Sequence, residues 1–182
     1  MSSSSPRLIV LDRDGVINED LWGYVTKTED FSPIEGSLDA IARLTKAEFL
    51  IYIATNQACI NKGLISEVKL SEIHEYMLNL INDFGGKIEL ITFCPHTPDE
   101  KCQCRKPETG LLEKIEKHAG RSLKGSFFIG DKESDWICAE NFGCTPLLVK
   151  TGYGKKTISS MVAVPKERVF KNLFTAVEYI LS

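Results

Sequence analysis

The chain alternates short apolar runs with segments of helical period, and the first of those runs end abruptly on polar residues. Arg7 to Leu11 stops at Asp12, and Phe49 to Ala54 stops at Thr55. Between them Leu38, Ile41, Ala42 and Leu44 share one helical face behind Ser37, which is expected to cap that helix. Ile73, Met77, Leu80, Ile81 and Phe84 then recur at helical spacing from Ser66 or Ser71 to the Gly85-Gly86 stop. Further runs at Ile88–Phe93, Ser126–Ile129 and Pro146–Val149 read as strands, with helices at Thr109–His118 and Glu133–Phe142. Val169 to Leu181 reads as one closing helix. Strands that alternate with helices predict an α/β fold: a Rossmann-like parallel sheet with helices on both faces. At 182 residues the chain fits one domain of about 100–200 residues, with little room for a large cap domain.

In such a sheet, ligands bind beyond the carboxyl ends of the strands, so the residues that end the strands converge. The first strand delivers Asp12-Arg13-Asp14-Gly15, the second Thr55-Asn56-Gln57 and the fourth Gly130-Asp131-Lys132 with Asp135 following. Arg105-Lys106-Pro107 precedes a helix. Gathered carboxylates repel one another unless a hard divalent cation separates them, and oxygen donors of this kind suit Mg²⁺. Thr55, Asn56 and Lys106 would supply hydrogen bonds and positive charge to a phosphoryl group. Asp12 is then placed to attack phosphorus and form an aspartyl-phosphate. Asp14, two residues on, is placed to protonate the leaving oxygen and later to activate water. Taken singly, each of these segments also fits an ordinary turn, strand end or charged helix entry. Their occurrence together, in this order, is what points to phosphoryl transfer.

Cys94-Pro95-His96 and Cys102-Gln103-Cys104 form a C-x-H-x5-C-x-C pattern after the third strand. Three thiolates and an imidazole close a tetrahedral Zn²⁺ shell with no place for water, so residues 94–107 are expected to be a structural zinc loop. Binding there would fix the adjacent Arg105 and Lys106 over the crevice. Cys59, Cys138 and Cys144 fit no ligand spacing, and the last two read as small packing residues.

The motifs Asp12-Arg13-Asp14-Gly15, Thr55, Lys106 and Gly130-Asp131 resemble those of the haloacid dehalogenase superfamily of phosphatases. The resemblance implies a nucleophilic Asp12, an acid/base Asp14, and Thr55 and Lys106 on the phosphoryl oxygens. It implies Mg²⁺ held by Asp12, Asp131 and the backbone carbonyl of Asp14. With the zinc loop, the chain resembles the heptose bisphosphate and histidinol-phosphate phosphatases. Gly23-Tyr24-Val25, Lys106-Pro107-Glu108-Thr109-Gly110-Leu111 and Thr151-Gly152-Tyr153-Gly154 look more like the heptose branch. That branch implies removal of the 7-phosphate of a heptose 1,7-bisphosphate, on the route to nucleotide-activated heptose for surface glycans. It implies sugar-phosphate contacts from Asp20, Gly23, Tyr24, Asn56, Gln57, Ala58 and Arg105, with Lys132 beside the metal aspartate. One segment departs from it: Ala58-Cys59-Ile60-Asn61-Lys62-Gly63 replaces the branch's usual Ser-Gly-Ile-Ala-Arg-Gly. Lys62 keeps the charge without the planar fork of arginine.

Two further readings compete with the heptose branch: histidinol-phosphate hydrolysis, and a phosphoaspartate signalling module, because receiver domains also join acidic residues, a Thr and a Lys. Composition narrows the partners. Lys and Arg number 22 against 25 Asp and Glu, a net charge of −3, which argues against a broad surface for nucleic acid. No stretch approaches the roughly 20 apolar residues of a membrane helix, and Met1 to Pro6 is serine-rich without a signal-peptide block. The expectation is a cytoplasmic enzyme acting on a small sugar phosphate as a monomer, with a flexible segment 1–6.

Overall fold

The computed structural model describes residues 7–161 and 164–182; the segment 1–6 lies outside them. β1 (Leu8–Leu11), β2 (Leu50–Asn56), β3 (Leu90–Cys94), β4 (Phe127–Gly130), β5 (Thr145–Val149) and β6 (Val169–Phe170) form one sheet in the order β3-β2-β1-β4-β5-β6. Every pairing is parallel, with Leu11 level with Ile53 on one side and Ile129 on the other.

The alternation of side chains along each strand explains why both faces are covered. Ile9 and Leu11 of β1 and Ile51 and Ile53 of β2 pack in one cluster, while Leu8, Val10, Tyr52 and Ala54 pack in the other. The first cluster is completed by α1 (Ser37–Lys46), α2 (Glu67–Asp83) and α6 (Leu173–Leu181), through residues such as Ile41, Met77 and Val177. The second is completed by α3 (Gly110–Ala119) and α4 (Glu133–Phe142), through Leu112, Ile115 and Ala139. Each fully buried Ile or Leu of this kind contributes roughly 1.5–3 kcal/mol. Cys138 and Cys144 belong to the second cluster, as packing residues.

Three local expectations are corrected. Ser37 does not cap α1; it is the first helical residue, behind Gly36, and its hydroxyl donates to the carbonyl of Ile17. The closing segment is not one helix. Val169 and Phe170 are drawn onto the free edge of β5, and Asn172 then caps α6 by accepting from the Thr175 N–H. A short helix, α5 (Gly154–Ser160), follows β5 where no helix is legible by period. Ser66, by contrast, caps α2 as expected, accepting from Lys69 N–H. No helix among the described residues is long and apolar enough to cross a membrane.

Strand order reverses beside β1: β2 and β3 lie on one side of it, β4, β5 and β6 on the other. A crevice therefore opens beyond the carboxyl ends of β1 and β4, where the two halves of the sheet diverge.

Candidate active site

A cavity of about 430 Å³ occupies that crevice. Asp12, at the end of β1, is buried, and two donors converge on its Oδ1: the Arg13 N–H at 2.7 Å and Lys106 Nζ at 2.9 Å. No hydrogen bond among the described residues engages Oδ2. Lys106 is buried too; its ammonium donates to the carbonyl of Ala54 at 2.8 Å and is ion-paired with Asp12 and with Asp135 Oδ1 at 2.6 Å. Burial opposes the Lys106 charge, but Asp12 and Asp135 override it and hold the ammonium above its ordinary range. Burial raises Asp12, against the pull of Lys106.

Asn56 fixes the backbone of Lys106 from β2. Its Oδ1 accepts the Lys106 N–H and its Nδ2 donates to the Lys106 carbonyl, both at 3.1 Å. Thr55 is buried beside it, and Gln57 Nε2 donates both to Thr55 Oγ1 at 2.9 Å and to Asp14 Oδ2 at 2.8 Å.

The Asp14 carboxylate is gripped by the guanidinium of Arg13 and by Asn18 Nδ2. Burial pushes its pKa up, but Arg13 and these hydrogen bonds more than compensate and hold it below the usual carboxylate value. Arg13 itself is fully buried, and its Nη1 lies 3.1 Å from His74 Nε2. Arginine can only donate, so His74 accepts as a neutral ring. Burial, reinforced by the Arg13 charge, takes His74 down to about 3.

Asp131, at the end of β4, is buried, and burial raises it to about 8; Lys132 opposes that shift, while Asp135 and Asp12 add to it. Its Oδ1 has no hydrogen bond, and its Oδ2 accepts the Tyr153 N–H at 2.7 Å. Carboxylate oxygens of Asp12, Asp131 and Asp135 all lie within 4.8 Å of one another. A buried oxygen with no hydrogen bond, 3.6 Å from Lys132 Nζ, in a cluster of three carboxylates fits a hard divalent cation such as Mg²⁺. The third clustered carboxylate is that of Asp135, not of Asp14, whose side chain is turned to Arg13. Asp135 sits in the first turn of α4, where its Oδ2 accepts from Asp131 and Lys132 N–H and so aims Oδ1 into the cluster.

Beyond β3, donor atoms of Cys94, His96, Cys102 and Cys104 gather within 4.8 Å. Cys104 Sγ stands 3.2 Å from both Cys94 Sγ and His96 Nδ1. Burial works against the Cys102 thiolate, yet N–H groups of Arg105 and Cys104 bring it to about 7. Three sulfurs and one imidazole nitrogen gathered this closely fit tetrahedral Zn²⁺. This loop holds Arg105 at two points: its N–H donates to Cys102 Sγ at 3.3 Å and its Nη1 to the His96 carbonyl at 3.0 Å.

Of the other predicted contact residues, Asp20, Gly23, Tyr24, Asn56, Arg105 and Lys132 line the cavity. Gln57 and Ala58 do not; both are buried behind it, where Gln57 ties Thr55 to Asp14. Lys132 Nζ pairs with Asp20 Oδ2 at 3.0 Å and lies 4.9 Å from the centre of the Tyr153 ring. Lys62 lines the wall, with Nζ 5.2 Å from the centre of the Tyr24 ring. Sequence reasoning missed Trp22 and Ser134, and attached no role to Tyr153.

A HAD-hydrolase-like family model matches residues 103–176. The D-glycero-beta-D-manno-heptose-1,7-bisphosphate 7-phosphatase of Pseudomonas putida is 43% identical over 156 residues, 86% of this chain and 89% of that protein. The enzyme of the same name from Bordetella bronchiseptica is 38% identical over 175 residues, 96% of this chain and 98% of that protein. A crystal structure of the B. bronchiseptica D,D-heptose 1,7-bisphosphate phosphatase complexed with magnesium and phosphate superposes with a TM-score of 0.92, covering 96% of this chain and 98% of that one at 38% identity. The corresponding enzyme of Burkholderia thailandensis gives 0.75 at 31% identity, covering 97% of this chain and 99% of that one. With its strand-end carboxylates, its buried lysine and its Cys/His loop in the order the family requires, the chain belongs to the heptose 1,7-bisphosphate phosphatases of the HAD-like hydrolases.

Proposed function

We propose that the chain removes the 7-phosphate of D-glycero-beta-D-manno-heptose 1,7-bisphosphate, in two steps that share one phosphorylated aspartate. The observation that carries the chemistry is the occupancy of Asp12: both donors sit on Oδ1, which leaves Oδ2 to attack. Attack forms the Asp12–phosphorus bond as the bond from phosphorus to the sugar oxygen breaks. For the first step Asp14 must bind substrate in its protonated form, one oxygen released from the donors that now hold its carboxylate, so that it can deliver that proton to the leaving oxygen. As the resulting carboxylate it then takes one from the water that releases inorganic phosphate and regenerates Asp12. Arg13, Asn18 and Gln57 hold the Asp14 carboxylate ready, and Thr55 and Lys106 offset the phosphoryl charge.

Mg²⁺, held by Asp12, Asp131 and the carbonyl of Asp14 with Asp135 alongside, would neutralise charge between nucleophile and phosphate. Zn²⁺ at Cys94, His96, Cys102 and Cys104 would be structural. Arg105 and Lys62, on the cavity wall, are suited to the phosphate that is retained.

Residues 1–182 work, in this reading, as one phosphatase domain, a cytoplasmic monomer with no nucleic-acid or membrane partner. Phosphate release with Mg²⁺ from the heptose bisphosphate and from histidinol phosphate tests the assignment. Faster turnover of histidinol phosphate overturns it, and a stable stoichiometric phosphoprotein without turnover would indicate a signalling module instead.

A further inference from the structure

Trp22 combines three properties that seldom coincide. Its backbone is left-handed, at φ 58°, a region that bulky residues rarely occupy without a functional reason. Its side chain is 68% exposed although it is the largest apolar group on the cavity wall. It is nevertheless held in place. Its backbone N–H donates to Asp20 Oδ1 at 2.9 Å, Asp20 Oδ2 is fixed by Lys132, and the indole meets the Tyr153 ring edge-on with centroids 4.6 Å apart. Tyr153 in turn donates its N–H to Asp131. The Trp22 backbone is thus tied to Asp20 and Lys132, and its indole rests on the ring of Tyr153.

Trp22 also lines a second recess of about 640 Å³, which shares Asp20 with the catalytic cavity and carries Glu19 and Glu35 on its wall. Lys150, Lys155, Lys156 and Lys171 line that recess, and among the described residues none of the four is in an ion pair. Trp22 therefore stands between the catalytic cavity and a larger space with four lysines on its wall.

We propose that Trp22 is the specificity-determining residue of this site: its indole packs on the carbon skeleton of the sugar phosphate and shuts bulkier phosphomonoesters out of the lysine-rich recess. The inference rests on the reading of the cavity as a sugar bisphosphate site. An aromatic face suits the C–H face of a sugar whose phosphates are held elsewhere by cations. A partition fixed before binding discriminates by size without ordering cost.

The test compares wild type with Trp22→Gly, which also relieves the left-handed backbone, and with Trp22→Phe. Substrates are the heptose bisphosphate and a nucleoside 5′-monophosphate. Trp22→Gly is expected to raise KM for the heptose bisphosphate about tenfold, to affect kcat far less, and to improve kcat/KM for the nucleotide. Trp22→Phe should restore most of the preference. A selectivity ratio within about twofold of wild type in Trp22→Gly overturns the proposal. Failure of the substrate reading has a different signature: wild type would not hydrolyse the heptose bisphosphate at all. Nucleotide turnover then still decides, since a gain in Trp22→Gly supports the partition and no gain removes it.

Discussion

Lys106 Nζ stands 2.9 Å from Asp12 Oδ1 and 2.6 Å from Asp135 Oδ1, and donates to the Ala54 carbonyl, so Oδ2 of Asp12 is left for the attack proposed above. The ammonium thereby orients the nucleophile as well as neutralising it, because a carboxylate with Oδ1 fixed can offer only Oδ2 to phosphorus.

Replacing Lys106 by Met should lower kcat by about 10²–10³, the usual cost of losing one charge-stabilising donor, and change KM far less. The same change leaves Asp12 and Asp135 facing each other without a cation, so the metal-free variant should lose about 3–5 kcal/mol of stability. Steady-state kinetics and urea unfolding in chelator measure the two effects. A kcat within about threefold of wild type would mean that Asp12 needs no cation beside it.

The carboxylate cluster predicts a pH-dependent response to metal. Asp131 is raised from its ordinary 3.8 to about 8 in the folded chain. A carboxyl raised on folding favours the folded state below its unfolded pKa and loses that contribution as pH climbs through the folded value. Metal-free protein therefore gives up this contribution between about pH 4 and pH 8, and Mg²⁺ replaces the proton. The Tm gain on adding Mg²⁺ should be larger at about pH 9 than at about pH 6. Equal gains would show that Asp131 is already ionised at the lower pH.

Zinc removal separates the two cations of the loop. The Arg105 side chain and N–H are held by zinc-loop residues, whereas Lys106 has its backbone clamped by Asn56 and its ammonium held from the sheet. Chelation of zinc in Mg²⁺-replete enzyme should therefore raise KM for a bisphosphate before it lowers kcat, and Asn56→Ala should do the reverse, lowering kcat about tenfold or more. Zinc-free protein with wild-type KM would show that Arg105 holds its place without the loop.

Much of this site is legible in the sequence because parallel strands oblige their terminal residues to converge. Asp12, Thr55 and Asp131 need only the strand ends to be found, and the Cys/His spacing needs only local chain geometry. What escaped has physical reasons of its own. Asp135 joins the metal cluster because a first-turn side chain on α4 folds back onto β4, a contact that strand-end logic does not contain. Val169 and Phe170 carry a helix-compatible pattern, but the open edge of β5 offered backbone partners, and Asn172 supplied a later start for the helix. Arg13 carries no assigned role in the sequence and is fully buried, because Asp14 and a neutral His74 match its donors. Trp22 belongs to a loop whose shape depends on Asp20 reaching Lys132, 112 residues away.

The close packing around Asp131 yields the sharpest separation between folding and metal binding. Gly15 has φ +84°, and a Cβ added there would collide with the Asp131 carboxyl group. Gly85 has nearly the same backbone, φ +82°, but open space around it. Alanine at either position pays the same left-handed strain, roughly 1–2 kcal/mol, so the pair isolates the collision. Gly85→Ala should lose about that much stability and keep its Mg²⁺ affinity. Gly15→Ala should lose more, and its Mg²⁺ affinity should fall about tenfold or further, because the carboxylate must turn away from the cluster to admit the methyl group. Calorimetric titration of Mg²⁺ into the two variants decides the point: equal affinities would mean that Asp131 binds metal from a position that Gly15 does not constrain, and the cluster with Asp12 and Asp135 would have to be redrawn.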